Sequence, residues 1–233
     1  MPVIAFFDVD NTLMRGTSIF PVGREAFSRG LIRARDIALF GWHQSRFIRV
    51  GENDAHLTSA RERALGLVAG RTEAEILALT DEIWEHRLHG RLYPETVALA
   101  HDHLARGHQV WLVTATPWEV ADVIARRLGL TGALGTRVET VDGVYTGRLE
   151  GPVLHAGHKA RVARDLAERV GADLADCWAY SDSRNDLPLL RLVGHPVAIN
   201  PDAALAHHAR AEGWPVKRFG APGRSAGKKK RPA

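Results

Sequence analysis

Apolar residues gather in short, unbroken runs: "VIAFF" (3–7), "QVWLVTA" (109–115), "CWAY" (177–180) and "PVAI" (196–199). Runs this short, apolar at successive positions, predict strands buried on both faces of a parallel sheet. Helical patterns separate the later runs. "PETVALAHDHLARG" places Pro94 at a first helical position and ends at Gly107, as helix starts and stops prefer. "PWEVADVIARRLG" repeats that grammar from Pro117 to Gly129 with Thr116 as the expected cap, and a further helix is expected from Lys159 to Val170. Strands alternating with helices predict a doubly wound, Rossmann-like α/β fold with a mainly parallel sheet.

One interval breaks this rhythm. Most of residues 15–90 reads as helix, around "GREAFSRGLI", "ARDIALFGWHQSRFIRV" and "DAHLTSARERALGLVAG". That is too much chain for one crossover, so a small helical cap domain is expected there. The core is then 1–14 with 91–219, and the tail is 220–233. A second interruption, "ALGTRVETVDGVYTGRLEG", alternates around Asp142-Gly143 and is expected to form a hairpin.

Charge changes this picture little. Five of the 31 Lys+Arg lie in "GAPGRSAGKKKRPA" (220–233), which holds no acid; the other 26 nearly balance the 27 Asp+Glu. The basic character therefore belongs to a tail whose composition predicts disorder, and the body offers no case for nucleic-acid binding. A single cysteine, Cys177, excludes an internal disulfide framework and suits a reducing compartment. The opening "MPVIAFFDVD" has no cationic leader, and no stretch of the chain approaches the length of a membrane span. A soluble, cytoplasmic protein is expected.

Ligands of doubly wound sheets collect beyond the carboxyl ends of the strands. The first strand delivers Asp8, Asp10 and Thr12 there, the second Thr114 and Thr116, the third Asp182, Asn185 and Asp186. One aspartate at a strand end is commonly a turn residue. Four carboxylates from two distant segments would repel one another unless a cation sat among them. Hard oxygen donors in this number suit Mg2+, which accepts a few carboxylates and keeps several waters. Such an ion often bridges to phosphate. Thr114, the amide near Ala115 and the charge of Lys159 could hold that group.

"DVDNT", "LVTAT", Lys159 and "SDSRND" resemble, in order, the four motifs of the haloacid dehalogenase superfamily of phosphohydrolases, most closely its phosphoserine-phosphatase-like branch. The resemblance covers about residues 3–215. It implies that Asp8 attacks phosphorus and forms an aspartyl-phosphate. Asp10 would be the general acid and then the base for water. Thr114, Ala115, Lys159 and Asn185 would bind the phosphoryl group. Asp8, Asp182 and the backbone carbonyl of Asp10 would ligate Mg2+, with Asp186 joining directly or through water. For substrate, Thr17 stands where relatives usually carry an amine-recognising glutamate. Thr114-Ala115-Thr116 replaces Ser-Gly-Gly, and Arg63, with Arg61 close by, resembles a carboxylate-binding cap arginine. The expected partner is a small phosphorylated metabolite: phosphoserine, histidinol phosphate or a glycerol-type phosphate. Two other classes stay open: a phosphotransferase or mutase with the same intermediate, and a non-enzymatic, phospho-accepting signalling module.

Other signals are read as structural. His101 and His103 point different ways on one helix, His86 and His89 lack a partner set, and His158 reads as an exposed loop residue. The six tryptophans read as core or cap-interface residues, and "GRSAGKKK" lacks the spacing and preceding strand of a phosphate loop.

Overall fold

The apolar runs pair side by side. In this computed structural model, which describes residues 1–28 and 68–220, the strands β1 (Ile4–Phe7), β2 (Gln109–Pro117), β3 (Gly132–Thr136), β4 (Val138–Val141), β5 (Val144–Leu149), β6 (Trp178–Ser181), β7 (His195–Ile199) and β8 (Val216–Lys217) form two sheets. The larger has the order β3-β2-β1-β6-β7-β8, and each of its neighbouring pairs is parallel. The first strand of the chain is thus central, with Ile4 opposite Gln109 and Ala5 opposite Trp178.

Side chains of β1 alternate between two cores, since successive residues of a strand face opposite sides. Ala5 and Phe7 pack with helices α3 (Pro94–Ala105) and α4 (Trp118–Arg127) through Ala100, Val120 and Ile124. Ile4 and Phe6 pack with α5 (Gly157–Val170), α6 (Leu187–Leu190) and α7 (Ala203–Ala211) through Leu166, Leu189 and Leu205. Helices on both faces complete the doubly wound α/β fold. Burying each phenylalanine contributes about 1.5–3 kcal/mol.

Two further helices lie within the segment expected to form a cap, α1 (Ile19–Ser28) and, after the undescribed residues, α2 (Glu73–Ile83), which Thr72 and Glu75 close with a capping box. The other two helices expected in that segment, apart from Val68–Gly70 at the end of the second, lie outside the described residues, as do residues 221–233. The chain leaves the core and returns to it side by side: Arg15 N–H donates to the Arg91 carbonyl (2.8 Å) and Tyr93 N–H to that of Leu13 (2.9 Å).

The expected hairpin is β4–β5. Asp142 and Gly143 both adopt positive φ (52° and 75°), as a type I′ turn requires. Its Tyr145 donates a 2.5 Å hydrogen bond to the buried Glu119 of α4, while the Tyr145 backbone pairs with Gly70 and Arg71. Three expectations are corrected. The first residues assigned to the hairpin form β3, an edge strand of the main sheet. Helix α5 begins at Gly157, two residues ahead of the expected start at about Lys159. Thr116 caps nothing: α4 starts after Pro117 without a side-chain cap, because the Thr116 hydroxyl is committed to Ser18 at 2.6 Å.

β3 can lie against α4 only because position 135 lacks a side chain. A Cβ on Gly135 would sit 2.6 Å from Trp118 Cα and 3.0 Å from the Thr116 carbonyl oxygen. Gly135→Ala is therefore expected to destabilise the protein by about 1–3 kcal/mol, read as a lower urea midpoint at unchanged slope; an unaltered midpoint would refute this packing argument.

Candidate active site

The strand ends build the site. Asp8 directly follows β1, its N–H donating to the Tyr180 carbonyl of β6 (2.9 Å). The chain then coils tightly, with the Val9 carbonyl accepting from Leu13 and Met14. Asn11 takes a left-handed conformation (φ 58°), which Asn tolerates better than most residues. Its Oδ1 accepts from Gly16 N–H at 3.0 Å. This loop fixes Asp10 beside Asp8. On the neighbouring strand, the β2–β3 register shifts between Val113 and Pro117, so Thr114, Ala115 and Thr116 fall where the ladder is irregular. Thr114 Oγ1 accepts from Thr116 N–H (3.2 Å), and the Ala115 carbonyl accepts from Thr136 Oγ1 (2.8 Å).

Lys159 comes from the first turn of α5. The residue before that helix, Ala156, holds φ 49° and ψ −120°, a strained state for a residue with a Cβ and one that clusters at functional sites. The Lys159 ammonium donates to Asp8 Oδ1 at 2.6 Å and to Asp186 Oδ2 at 2.7 Å, all three side chains at most 7% exposed. Ser181 Oγ donates to the same Asp186 oxygen at 2.7 Å. Asp202 braces the loop that carries Asp182, Asn185 and Asp186: its N–H donates to the Asp182 carbonyl (2.8 Å), and its carboxylate accepts from Arg184 N–H (2.9 Å).

Electrostatics follow from one buried ammonium among four carboxylates. Burial lifts Asp8 to about 7; Lys159 pulls it down, while Asp186 and Asp10 add to the rise. Asp182 is lifted to about 8, by burial first and then by Asp8 and Asp186. Asp10 is also raised by burial, against two hydrogen bonds from Ser18 that lower it. Burial works against the Lys159 charge too, but Asp8 and Asp186 outweigh it and hold the amine protonated above its ordinary range.

The donor set fits Mg2+. Burial and neighbouring carboxylates (Asp186 and Asp10 at Asp8, Asp8 and Asp186 at Asp182) disfavour charge on both Asp8 and Asp182, which a hard divalent cation would relieve. Among the described residues no three His, Cys, Asp or Glu side chains are grouped to hold a metal ion by themselves.

The structure thus brings Asp8, Asp186 and Lys159 into direct contact. Asp10 and Thr114 join through Ser18 and Thr116. Asn185 is exposed at the rim, and Thr17 Oγ1 is buried without a partner. Arg63 and Arg61 lie outside the described residues. Ser18, Ser181 and Asp202 escaped sequence reasoning. Only Ser181, directly preceding Asp182, carried a local signal. Of the histidines set aside, His86, His89, His101 and His158 are exposed. His103 is core instead: it meets Tyr180 Oη at 2.7 Å and His108 at 2.9 Å, and burial lowers it to about 4.

A buried Asp–Lys–Asp cluster thus lies beyond the strand ends of a doubly wound parallel sheet. The sequence model for haloacid dehalogenase-like hydrolases matches residues 5–191, and the chain belongs to that family. It is an enzyme of the family's phosphatase class. It is 49% identical over 216 residues to the phosphoserine phosphatase SerB1 of Mycobacterium tuberculosis, covering 92% of this chain and 70% of that protein. It is 32% identical to a histidinol-phosphatase of Neisseria meningitidis, covering 94% of this chain and 100% of that one. A solved structure of a Bordetella pertussis protein of unknown function shares 31% identity and superposes with a TM-score of 0.80, covering 93% and 99% of the two chains. Among the described residues no helix is long and apolar enough to cross a membrane.

Carboxyls held above their ordinary value of about 4 keep protons that the unfolded chain has released. Their contribution to stability is present at low pH and is lost as pH rises through about 7 for Asp8 and about 8 for Asp182. Metal-free protein is therefore expected to melt at a lower temperature at about pH 9 than at about pH 6, by about 2–4 °C per kcal/mol lost. Added Mg2+ should recover more of this at the higher pH, because the cation competes with protons. Melting curves with chelator and with Mg2+ test this, and a Mg2+ gain independent of pH would contradict it.

Proposed function

We propose that the protein hydrolyses a small phosphomonoester of the phosphoserine type, with Mg2+, through an aspartyl-phosphate on Asp8. The observation that carries this reading is the buried Lys159 bridging Asp8 and Asp186 beyond the central strands, with Asp10 held two positions from the nucleophile. Asp8 attacks phosphorus while Asp10 gives its proton to the departing ester oxygen; Asp10 then takes a proton from the water that cleaves the acyl phosphate. Lys159, Thr114, the Ala115 amide and Asn185 bind the phosphoryl oxygens. Asp8, Asp182 and the Asp10 carbonyl would hold Mg2+, with Asp186 at Lys159's other side. When bound, the cation offsets phosphate charge that would repel an attacking carboxylate.

Residues 15–90 are taken as a cap over a core of 1–14 and 91–219, with a separate basic tail at 220–233, in a cytoplasmic protein. Thr17, whose buried hydroxyl lacks a partner, and Arg63 are assigned to the substrate. Phosphoserine and histidinol phosphate, the substrates named by two relatives, share a primary phosphate ester one carbon from an amine-bearing carbon. That shared unit is the proposed substrate class. Membership of a hydrolase family removes the signalling-module alternative; a phosphotransferase would reveal itself by release that depends on an added hydroxyl acceptor.

Phosphate release from a panel holding both esters, a glycerol phosphate and an aryl phosphate tests the reading. Release is expected to require Mg2+, to stop with chelator, and to fall by at least about 1,000-fold in Asp8→Asn, which removes the nucleophile. Release that persists in Asp8→Asn or in chelator would rule the mechanism out.

A further inference from the structure

We propose that Ser18 is a positioning residue that determines which oxygen of Asp10 carries the catalytic proton. The proposal rests on the mechanism above and adds a part that the four motifs do not contain. Ser18 is fully buried. Its backbone N–H and its hydroxyl both donate to one carboxyl oxygen, Asp10 Oδ1, at 2.8 and 2.7 Å.

An oxygen that accepts two such bonds is the unprotonated one of a carboxylic acid, since the protonated oxygen acts as donor. The proton of neutral Asp10 is thereby assigned to Oδ2. Direction then propagates outward. Ser18 has one hydroxyl hydrogen and gives it to Asp10, so in the 2.6 Å contact between the Ser18 and Thr116 hydroxyls Thr116 is the donor. Thr116 N–H in turn donates to Thr114 Oγ1 at 3.2 Å, which leaves the Thr114 hydrogen to point at another acceptor, the phosphoryl oxygen in the proposed mechanism. Two short hydrogen-bonded arms, one from the Thr116 hydroxyl through Ser18 to Asp10 and one from the Thr116 N–H to Thr114, therefore link the proton donor on β1's loop to the phosphate binder on β2.

The proton balance is complete within this arrangement. Asp10 Oδ2–H protonates the ester oxygen as the phosphorus–oxygen bond breaks and the Asp8–phosphorus bond forms. In the second half Oδ2 takes a proton from water as its oxygen attacks phosphorus, which restores the Asp8 carboxylate and releases phosphate. Ser18 gains and loses no proton overall. It holds Asp10 in one rotamer with the reactive oxygen outward.

A positioning role of this kind is felt in proportion to how much the leaving group needs a proton. Wild type, Ser18→Ala and Ser18→Thr are to be compared by kcat/KM, which reports the first phosphoryl transfer, on the best alkyl ester of the panel and on p-nitrophenyl phosphate. Ser18→Ala is expected to lose about 10–100-fold on the alkyl ester and less than about threefold on the aryl ester, whose phenolate departs unaided. Ser18→Thr, which keeps the hydroxyl, should stay within about fivefold of wild type on both. Equal losses on the two esters, or none on the alkyl ester, overturn the proposal. Should Ser18→Ala lack a melting transition, Ser18→Cys, a weak donor of similar size, is read by the same split. Wild-type turnover with a flat Ser18→Ala response sinks the role of Ser18 alone. Absence of wild-type turnover on either ester, or its persistence in Asp8→Asn, sinks the underlying mechanism as well.

Discussion

One lysine ammonium stands against the repulsion of the carboxylates at the sheet edge, and the site depends on it. Lys159, Asp8 and Asp186 are nearly solvent-free, and removing ions from water costs several kcal/mol each even after relaxation. Opposite unit charges about 4 Å apart return about 4 kcal/mol at an effective dielectric near 20. The contact therefore does little to hold the fold together. The fold holds the contact: β1 and its hydrophobic flanks fix Asp8, α5 fixes Lys159, and Asp202 with Ser181 fixes the loop of Asp186. The surplus negative charge that remains would be offset by a cation, as in the proposed mechanism.

The departures from the family pattern fall into place beside this constraint. Thr116 occupies a position where related motifs carry glycine, and its hydroxyl meets Ser18. Thr17 occupies the place of a glutamate, and its neighbour Ser18 holds Asp10. Of the two, only Thr116 lies on the hydrogen-bonded path; Thr17 stands beside it, its own hydroxyl without a partner.

Much of the fold was legible because its signal is local. β1, β2, β6 and β7 are runs of buried residues, and Asp142-Gly143 is a turn whose conformation its two residues favour. β3 was not legible, because its sequence "GALGT" is shaped by what it touches: Gly132 and Gly135 clear Trp111 and Trp118. The principal site residues could be found because each closes a strand or opens a helix. Ser18 could not, since its link to Thr116 spans 98 positions, and Asp202 lies 18 residues from the Arg184 amide it accepts from. Contacts of that reach leave no periodic trace in the chain.

The central position of β1 has a consequence for how the chain comes to be folded. β1, bearing "IAFF", is made before its partners at Gln109–Leu112 and Trp178–Tyr180. At about 5–20 residues per second, its first neighbour emerges several seconds later and its second later still. Until then this apolar segment has unsatisfied edges on both sides, and pairing it requires closing long loops, the slow kind of folding step. This strand order makes the central strand wait for long-range partners instead of nucleating locally.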